Sequence, residues 1–329
     1  MKKLLNKDTG TANEESRMRS SYDNVALIVI YNHHYPDNVD RVERLYSGRF
    51  SHVYHLMPFY KGQKPNVIPV YEHSYYFQGF ITQGFTKYFK EEYSHYAFIA
   101  DDIVLNPCID ETNIFSYFKL DDSNCYIPGL IQMDKPDIAW PRVREAYEWK
   151  VNIPGLEISS QLPDYQSALR ILENRNLKSV PLRFQQLWNV TKSPKKLRRA
   201  MLYEKRLILK YLITKLKNED YHLPYPLVGS YSDIFIVNSD SIRQFSHFCG
   251  VFAASKLFVE LAIPTSLAFS AGHIVTNQDL DYRGMELWSK KDLSILKEYG
   301  SSLKNLIEKF PQDCLYIHPV KLSQWKFDI

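Results

Sequence analysis

An α/β fold built on a doubly wound sheet is predicted by three features of the chain. Val25-Ala-Leu-Ile-Val-Ile30 is an unbroken apolar run of strand length. That is the pattern of a strand covered on both faces, and therefore of a parallel sheet. Strand-like and helix-like stretches then alternate over residues 25–100, which is how successive βαβ units read. A second apolar run, Tyr96-Ala-Phe-Ile-Ala100, ends abruptly in Asp101-Asp102. In open α/β sheets the positions just beyond the strand C-termini are where ligands bind.

The elements follow in order. After the first strand, residues 31–36 form its exit loop. Residues 37–46 predict a helix with Val39, Val42 and Leu45 on one side. Residues 52–57 read as a strand closed by Pro58, 67–71 as another strand, 75–89 as an aromatic-rich helix, and 96–100 as the strand that leads into the acids. The second half is less regular. Residues 125–132 read as strand or loop and 162–174 as a helix with Asp164 near its start. Residues 192–217 form a basic helical region, and 234–237 read as a strand. One long helix is expected over 248–269 with Pro264 near its end, and an amphipathic helix over 293–310. Residues 314–317 form a final strand that delivers His318.

With 329 residues, 45% hydrophobic and 24% charged, the chain has ordinary globular composition and can bury a large core. A net charge of +4 gives no reason to invoke nucleic acid, and no nucleic-acid-binding module is recognisable. The abundant Tyr and Phe suit grooves that stack on sugars or bases, and equally an ordinary core. Cys108, Cys125, Cys249 and Cys314 are far apart with no Cys-x-x-Cys, so reduced thiols in the cytoplasm are expected. Residues 1–21 have only Leu4-Leu5 as an apolar part and read as a flexible tail rather than a secretory leader. The longest apolar region, 248–271, is interrupted by Lys256, Glu260 and Pro264, which argues for a buried helix and against a membrane span.

Several residues stand out chemically. Adjacent carboxylates repel, and a cation relieves the repulsion. Asp101 and Asp102 at a sheet edge therefore suggest Mg²⁺ or Mn²⁺, the ions that oxygen ligands favour; the plain alternative is that they cap a turn. His318 could add a nitrogen ligand, and Lys321 or Lys326 could clamp a diphosphate; otherwise this is a surface loop. Glu260 sits amid apolar neighbours. It is either ion-paired with Lys256 at i−4 or a general base with a raised pKa. Asp233 is either a turn cap or a group beside the substrate. Tyr31 and Asn32 lie where a nucleotide base would sit in a doubly wound sheet, Tyr31 to stack and Asn32 to bond its edge. His33 and His34 diverge and suit no single metal. The basic stretch from Lys192 to Lys217, with its leucines, is either a solvated helix face or a patch for anionic lipid headgroups.

In this order the residues resemble the GT-A glycosyltransferases. Val25 to Asn32 looks like the family's first strand and base-binding loop. Phe98-Ile-Ala-Asp-Asp102 is similar to its Asp-x-Asp motif in x-Asp-Asp form. Glu260 stands about where many members carry a catalytic acid, and His318 is similar to a C-terminal metal-binding His. Some retaining members carry His-x-x-Gly-x-x-Lys; here Lys321 takes the fourth position and Gln324 the seventh, and Glu260 is followed by Leu261 rather than a second acid.

The resemblance implies a single catalytic domain over 22–329, with a nucleotide-binding half at 22–120 and an acceptor half at 121–329. Its sheet would be Rossmann-like with helices on both faces and a basic helical insertion near 188–220. Asp102 and His318 would hold Mn²⁺ or Mg²⁺. Asp101 would meet the ribose or a metal-bound water, Tyr31 and Asn32 the base, and Lys321 the diphosphate. Glu260 is the first candidate base and Asp233 the second. The implied donor is a nucleotide-sugar, foremost a UDP-sugar. The acceptor would be a polysaccharide or lipid-linked glycan of O-antigen or capsule type, used in the cytoplasm with the basic region against the inner membrane face. Two rivals stand beside this reading: a sugar-nucleotide nucleotidyltransferase, disfavoured because residues 31–36 contain no Gly, and a non-catalytic carbohydrate-binding protein.

Overall fold

The computed structural model describes residues 24–133, 142–183 and 205–329. The tail expected over 1–21 and the 192–204 part of the basic region lie outside the described residues. The strands are β1 Val25–Ile30, β2 His52–Pro58, β3 Val67–Val70, β4 His95–Ala100, β5 Val104–Leu105, β6 Asn124–Tyr126, β7 Ile131–Gln132, β8 Val228–Gly229, β9 Ile234–Asn238, β10 His273–Val275, β11 Arg283–Glu286 and β12 Cys314–His318. The main helices are α1 Asp37–Tyr46, α2 Gln78–Tyr88, α3 Arg142–Glu148, α4 Tyr165–Glu173, α5 Lys205–Leu216, α6 Ser239–Ala254 and α7 Val259–Ser270.

The architecture is mixed α/β around a seven-stranded sheet of order β10-β6-β9-β4-β1-β2-β3. The chain steps outward from β1 through β2 to β3 in parallel, then returns to lay β4 on the other side of β1, again in parallel. That reversal puts a topological switch point between the C-terminal ends of β1 and β4. The sheet is buried on both faces because side chains alternate. Ala26, Ile28, Ile30, Tyr96 and Phe98 share one apolar core with Phe80 of α2, Phe245 of α6 and Leu261 of α7. Val25, Leu27, Val29, Ala97 and Ile99 share another with Val39, Val42 and Leu45 of α1 and Leu315 and Ile317 of β12. Helix α1 matches its expected span, and its buried residues include the three predicted ones.

Four expectations are corrected. The sheet is not parallel throughout: β9 runs antiparallel to β4 and to β6. A short strand buried at every position carries no sign of its direction, so its apolar run reads alike either way. The single helix expected over 248–269 is two. Helix α6 starts earlier, capped by Asn238, and ends where the Ser255 hydroxyl donates to the carbonyls of Val251 and Phe252 at 3.1 Å each. Lys256 then turns through the left-handed region (φ 55°), and Phe258 begins α7 in extended geometry. Tertiary burial of Leu257 and Phe258 outweighs the strained Lys256 backbone. The amphipathic helix expected over 293–310 is a 3-10 helix Asp292–Tyr299, a left-handed turn at Gly300 (φ 60°), and a short α-helix Leu303–Glu308. The helix expected over 75–89 begins at Gln78, after a separate 3-10 turn Ser74–Tyr76.

A second sheet, β11-β12-β5, carries the C-terminal strand to the main one. Tyr316 and Ile317 pair antiparallel with Leu105 and Val104, and the Val320 amide donates to the Asp102 carbonyl at 2.7 Å. The residues just after β12 are thus laid against the residues just after β4.

Candidate active site

The backbone builds the site first. At the end of β4 the Ala100 amide donates to the Asp233 carbonyl at 2.7 Å and the Asp101 amide to the Ile30 carbonyl at 2.9 Å. Because β9 is antiparallel to β4, its leading residue Asp233 lands beside the trailing Asp101-Asp102 pair. Register between β12 and β5 brings in His318 from the other side. Five side chains from three separate stretches of the chain therefore meet at the switch point: Asp101, Asp102, Asp233, His318 and Lys321.

Their contacts are specific. Asp102 is 4% exposed. His318 Nε2 lies 3.2 Å from its Oδ1 and 3.9 Å from Asp233 Oδ2, while Lys321 Nζ pairs with Asp102 Oδ2. His318 Nδ1 is buried without a hydrogen-bond partner, and Asp102 Oδ1 is buried against His318 Nε2. Asp101 is held by the Asn38 amide group, 3.5 Å from its Oδ2, and by the Asn32 backbone amide. Tyr231 lies edge-on to the exposed Trp288 at 5.5 Å and 5.5 Å from the His318 ring.

Crowding of acids tunes the site. Burial, then the neighbouring Asp102 charge, pushes Asp101 up to about 7. Burial lifts Asp233 to about 6, with His318 and Asp102 pulling in opposite directions. Burial also acts on Asp102, but His318 and Lys321 overcome it and hold that carboxyl down at about 2. Burial disfavours a charged imidazole at His318, yet the hydrogen bond to Asp102 and the Asp233 charge raise its pKa. Glu260, in the first turn of α7, is pushed up to about 7 by burial and then by the Asp233 charge, against the opposing Arg142. One ionised carboxylate thus sits beside two that ionise reluctantly, with Glu260 within electrostatic reach, an arrangement that an added positive charge would relax.

A divalent cation can be tested against this donor set. His318 Nε2 lies 3.2 Å from the Asp102 carboxylate and 3.9 Å from that of Asp233, and oxygen donors with one imidazole are chemically suited to Mn²⁺ or Mg²⁺. As they stand, no group of three or more His, Cys, Asp and Glu side chains among the described residues is arranged to hold a metal ion. Lys321 occupies Oδ2 of Asp102 and would have to release it.

Some expected site residues lie elsewhere. Tyr31 is wholly buried, its hydroxyl bonded to His55 Nδ1 at 3.0 Å, so no face of its ring is open to a base. The odd-numbered strand residues Val25, Leu27 and Val29 point into the α1 core, and Tyr31 continues that alternation. Lys256 pairs with Glu72 at 2.7 Å, not with Glu260, because the chain is not helical at Lys256. Lys326 lies beside Asp328 at 3.8 Å and does not join the cluster. The exposed His34 ring bonds the Pro58 carbonyl at 2.9 Å, apart from His33, whose ring meets Tyr35. Asn38, Tyr231 and Trp288 were not singled out by sequence. For Tyr231 the one signal was its place two residues before Asp233, in the irregular stretch that leads into β9. For the other two none existed. Set against protein-family models, curated proteins and solved structures, the chain matches none of them.

Proposed function

We propose that the chain is a metal-dependent glycosyltransferase of GT-A type that moves a sugar from a nucleotide-diphosphate donor, a UDP-sugar first, to a polysaccharide or lipid-linked glycan. The observation that carries this reading is the convergence of Asp101, Asp102, Asp233, His318 and Lys321 at the switch point between β1 and β4. Mn²⁺ or Mg²⁺, held by Asp102 and His318, would supply Lewis-acid neutralisation of the departing diphosphate. Lys321, freed from Asp102, is suited to a phosphate oxygen. Asp101, fixed by Asn32 and Asn38, is oriented for a ribose hydroxyl. Glu260, poised near neutral pH, is suited to take the acceptor hydroxyl proton, with Asp233 as second candidate.

Thermal melting tests the donor site directly. UDP with Mn²⁺, at about 100 times its Kd, is expected to raise the melting temperature by about 4 °C, the result of roughly 2.7 kcal/mol of ligand linkage in a chain of this size. EDTA is expected to cancel the gain and to stop donor hydrolysis. Equal hydrolysis with and without EDTA would remove the metal from the reading.

The same proposal includes a membrane-facing element. No helix among the described residues is long and apolar enough to cross a membrane. Helix α5 buries Leu207 and Tyr211 inward yet leaves Leu209, Leu212, Ile213 and Leu216 exposed. These four follow the i, i+3, i+4, i+7 spacing of a single face. Lys205, Arg206, Lys210, Lys215 and Lys217 surround them. An apolar stripe edged by cations suits the interface of an anionic bilayer, where a lipid-linked acceptor would be found. The protein is expected to sediment with phosphatidylglycerol vesicles and not with phosphatidylcholine vesicles. Replacing both Leu212 and Leu216 by Asp should weaken that binding by about tenfold or more. Undiminished binding of the double variant would dismiss the contact.

A further inference from the structure

With Tyr31 buried, two other rings stand open on the same edge of the sheet. Phe59 directly follows β2 and Tyr71 directly follows β3. The two strands are parallel with Pro58 opposite Val70, and the Phe59 amide donates to the Val70 carbonyl at 3.0 Å. Both residues therefore lie beyond the C-terminal strand ends, on the edge where Asp101 and Asp102 follow β4. Their ring centres are 5.9 Å apart at 73°, so the rings form a corner. Phe59 is 55% exposed and Tyr71 65%. Among the described residues no Arg or Lys lies over either ring.

Phe59 is costly where it stands. Its φ of 55° lies in the left-handed region, where a bulky side chain is strained and Gly or Asn is not. Burial does not offset that strain, because more than half of the residue is open to water. Strain without burial, at the ligand edge of a sheet, marks a side chain kept for what it touches. The position is also fixed: the His34 ring bonds the Pro58 carbonyl at 2.9 Å and ties the exit loop of β1 to the foot of the corner. Neighbouring strands lie about 4.8 Å apart, and β1 stands between β4 and β2. Phe59 is thus about 10 Å along the edge from the Asp101-Asp102 pair, and Tyr71 about 14 Å. An extended nucleoside diphosphate covers the first of these distances between its phosphates and its base. Two uncharged rings set at a steep angle offer a flat base one face to stack on and one edge to meet.

We propose that Phe59 and Tyr71 form a stacking ledge for the base of a nucleotide whose phosphates lie toward Asp102 and Lys321. That this nucleotide is a sugar donor rests on the transferase reading above; the stacking of a base on the ledge does not. The test is saturation-transfer NMR on the full chain with UDP, CDP, ADP and GDP in Mg²⁺, run beside a separate assay of UDP-sugar hydrolysis. At least one nucleotide should bind, with the strongest saturation on its base protons. Its affinity should fall by about tenfold in Phe59→Asn and in Tyr71→Ala, and stay unchanged in the exposed control Leu156→Ala. Asn accepts the left-handed backbone, so Phe59→Asn should melt at or above the temperature of the natural chain. Binding lost in that variant is then not folding lost. No bound nucleotide, unsaturated base protons, or affinity kept in either ledge variant overturns the ledge. So does a Phe59→Asn protein that melts lower, since the ring would then serve the fold. Base stacking without donor hydrolysis upholds the ledge and sinks the transferase. Hydrolysis that both ledge variants leave unchanged sinks the ledge and spares the transferase.

Discussion

Replacing Asp102 by Ala should lower sugar transfer by about 10³-fold, equivalent to roughly 4 kcal/mol of lost transition-state stabilisation. The expectation rests on one side chain doing two things. It presents a buried oxygen, Oδ1, to His318 Nε2 at 3.2 Å, and its other oxygen anchors Lys321. The variant also leaves His318 without its nearest counter-charge, and removing one partner of a buried ion pair is destabilising. Loss of activity must therefore be read beside a melting curve. Asp102→Asn keeps the shape and removes the charge, so it should stay folded at 25 °C and still fail in transfer. The pH dependence has a definite sign. The Asp102 carboxyl sits at about 2 against 3.8 when unperturbed. Its contribution to stability is thus present above about pH 4 and lost as the pH falls toward 2. Transfer at the full rate by a folded Asp102→Ala protein would falsify the proposed role of the cluster.

The second large effect is expected at Glu260. Glu260→Gln should cut kcat by about 10²–10⁴-fold, the usual span for a general base, with little change in KM. In the natural chain the rate should rise with pH through about 7, where this carboxyl ionises, and the Gln variant should lose that limb. If Asp233 were the base instead, Glu260→Gln would keep most of its activity and the limb would sit nearer 6. Stability should move the other way. The folded-state pKa is raised from 4.5 to about 7, so the favourable contribution is complete below 4.5 and disappears as the pH rises through 7. The Gln variant should therefore be more stable than the natural chain by about 3 kcal/mol at pH 8 and equal to it near pH 4. Urea unfolding at the two pH values measures this. A Gln variant that is less stable at pH 8 would mean that the Glu260 carboxylate is anchored by a favourable partner, which would remove it as a base.

What could be read in advance follows from the range of the interactions involved. The periodic apolar positions of β1, β4 and α1 are local patterns, and each element forms where its pattern lies. Asp164 was visible at a helix start, and it caps α4 by accepting the Ser167 amide at 2.9 Å. The Asp101-Asp102 pair was visible because a strand must end somewhere, and acids that follow an apolar run mark the spot. Lys256 escaped detection because its left-handed turn is imposed by how Leu257 and Phe258 bury, not by a Gly or Pro in the chain. Tyr31 was misassigned because its position after the strand suggested a loop, while the alternation that continues through it carries the side chain inward.

The amino-acid order by itself determined an alternating α/β chain with a pair of carboxylates at the end of one buried strand, since each of those features is encoded within a dozen residues. Only the tertiary structure decided that Asp233 meets them through an antiparallel strand, that His318 and Lys321 arrive from the far end of the chain, and that Glu260 stands free of Lys256. Strand direction and register are set by which buried surfaces fit together across the sheet, and that fit is a property of the packed molecule rather than of any short segment.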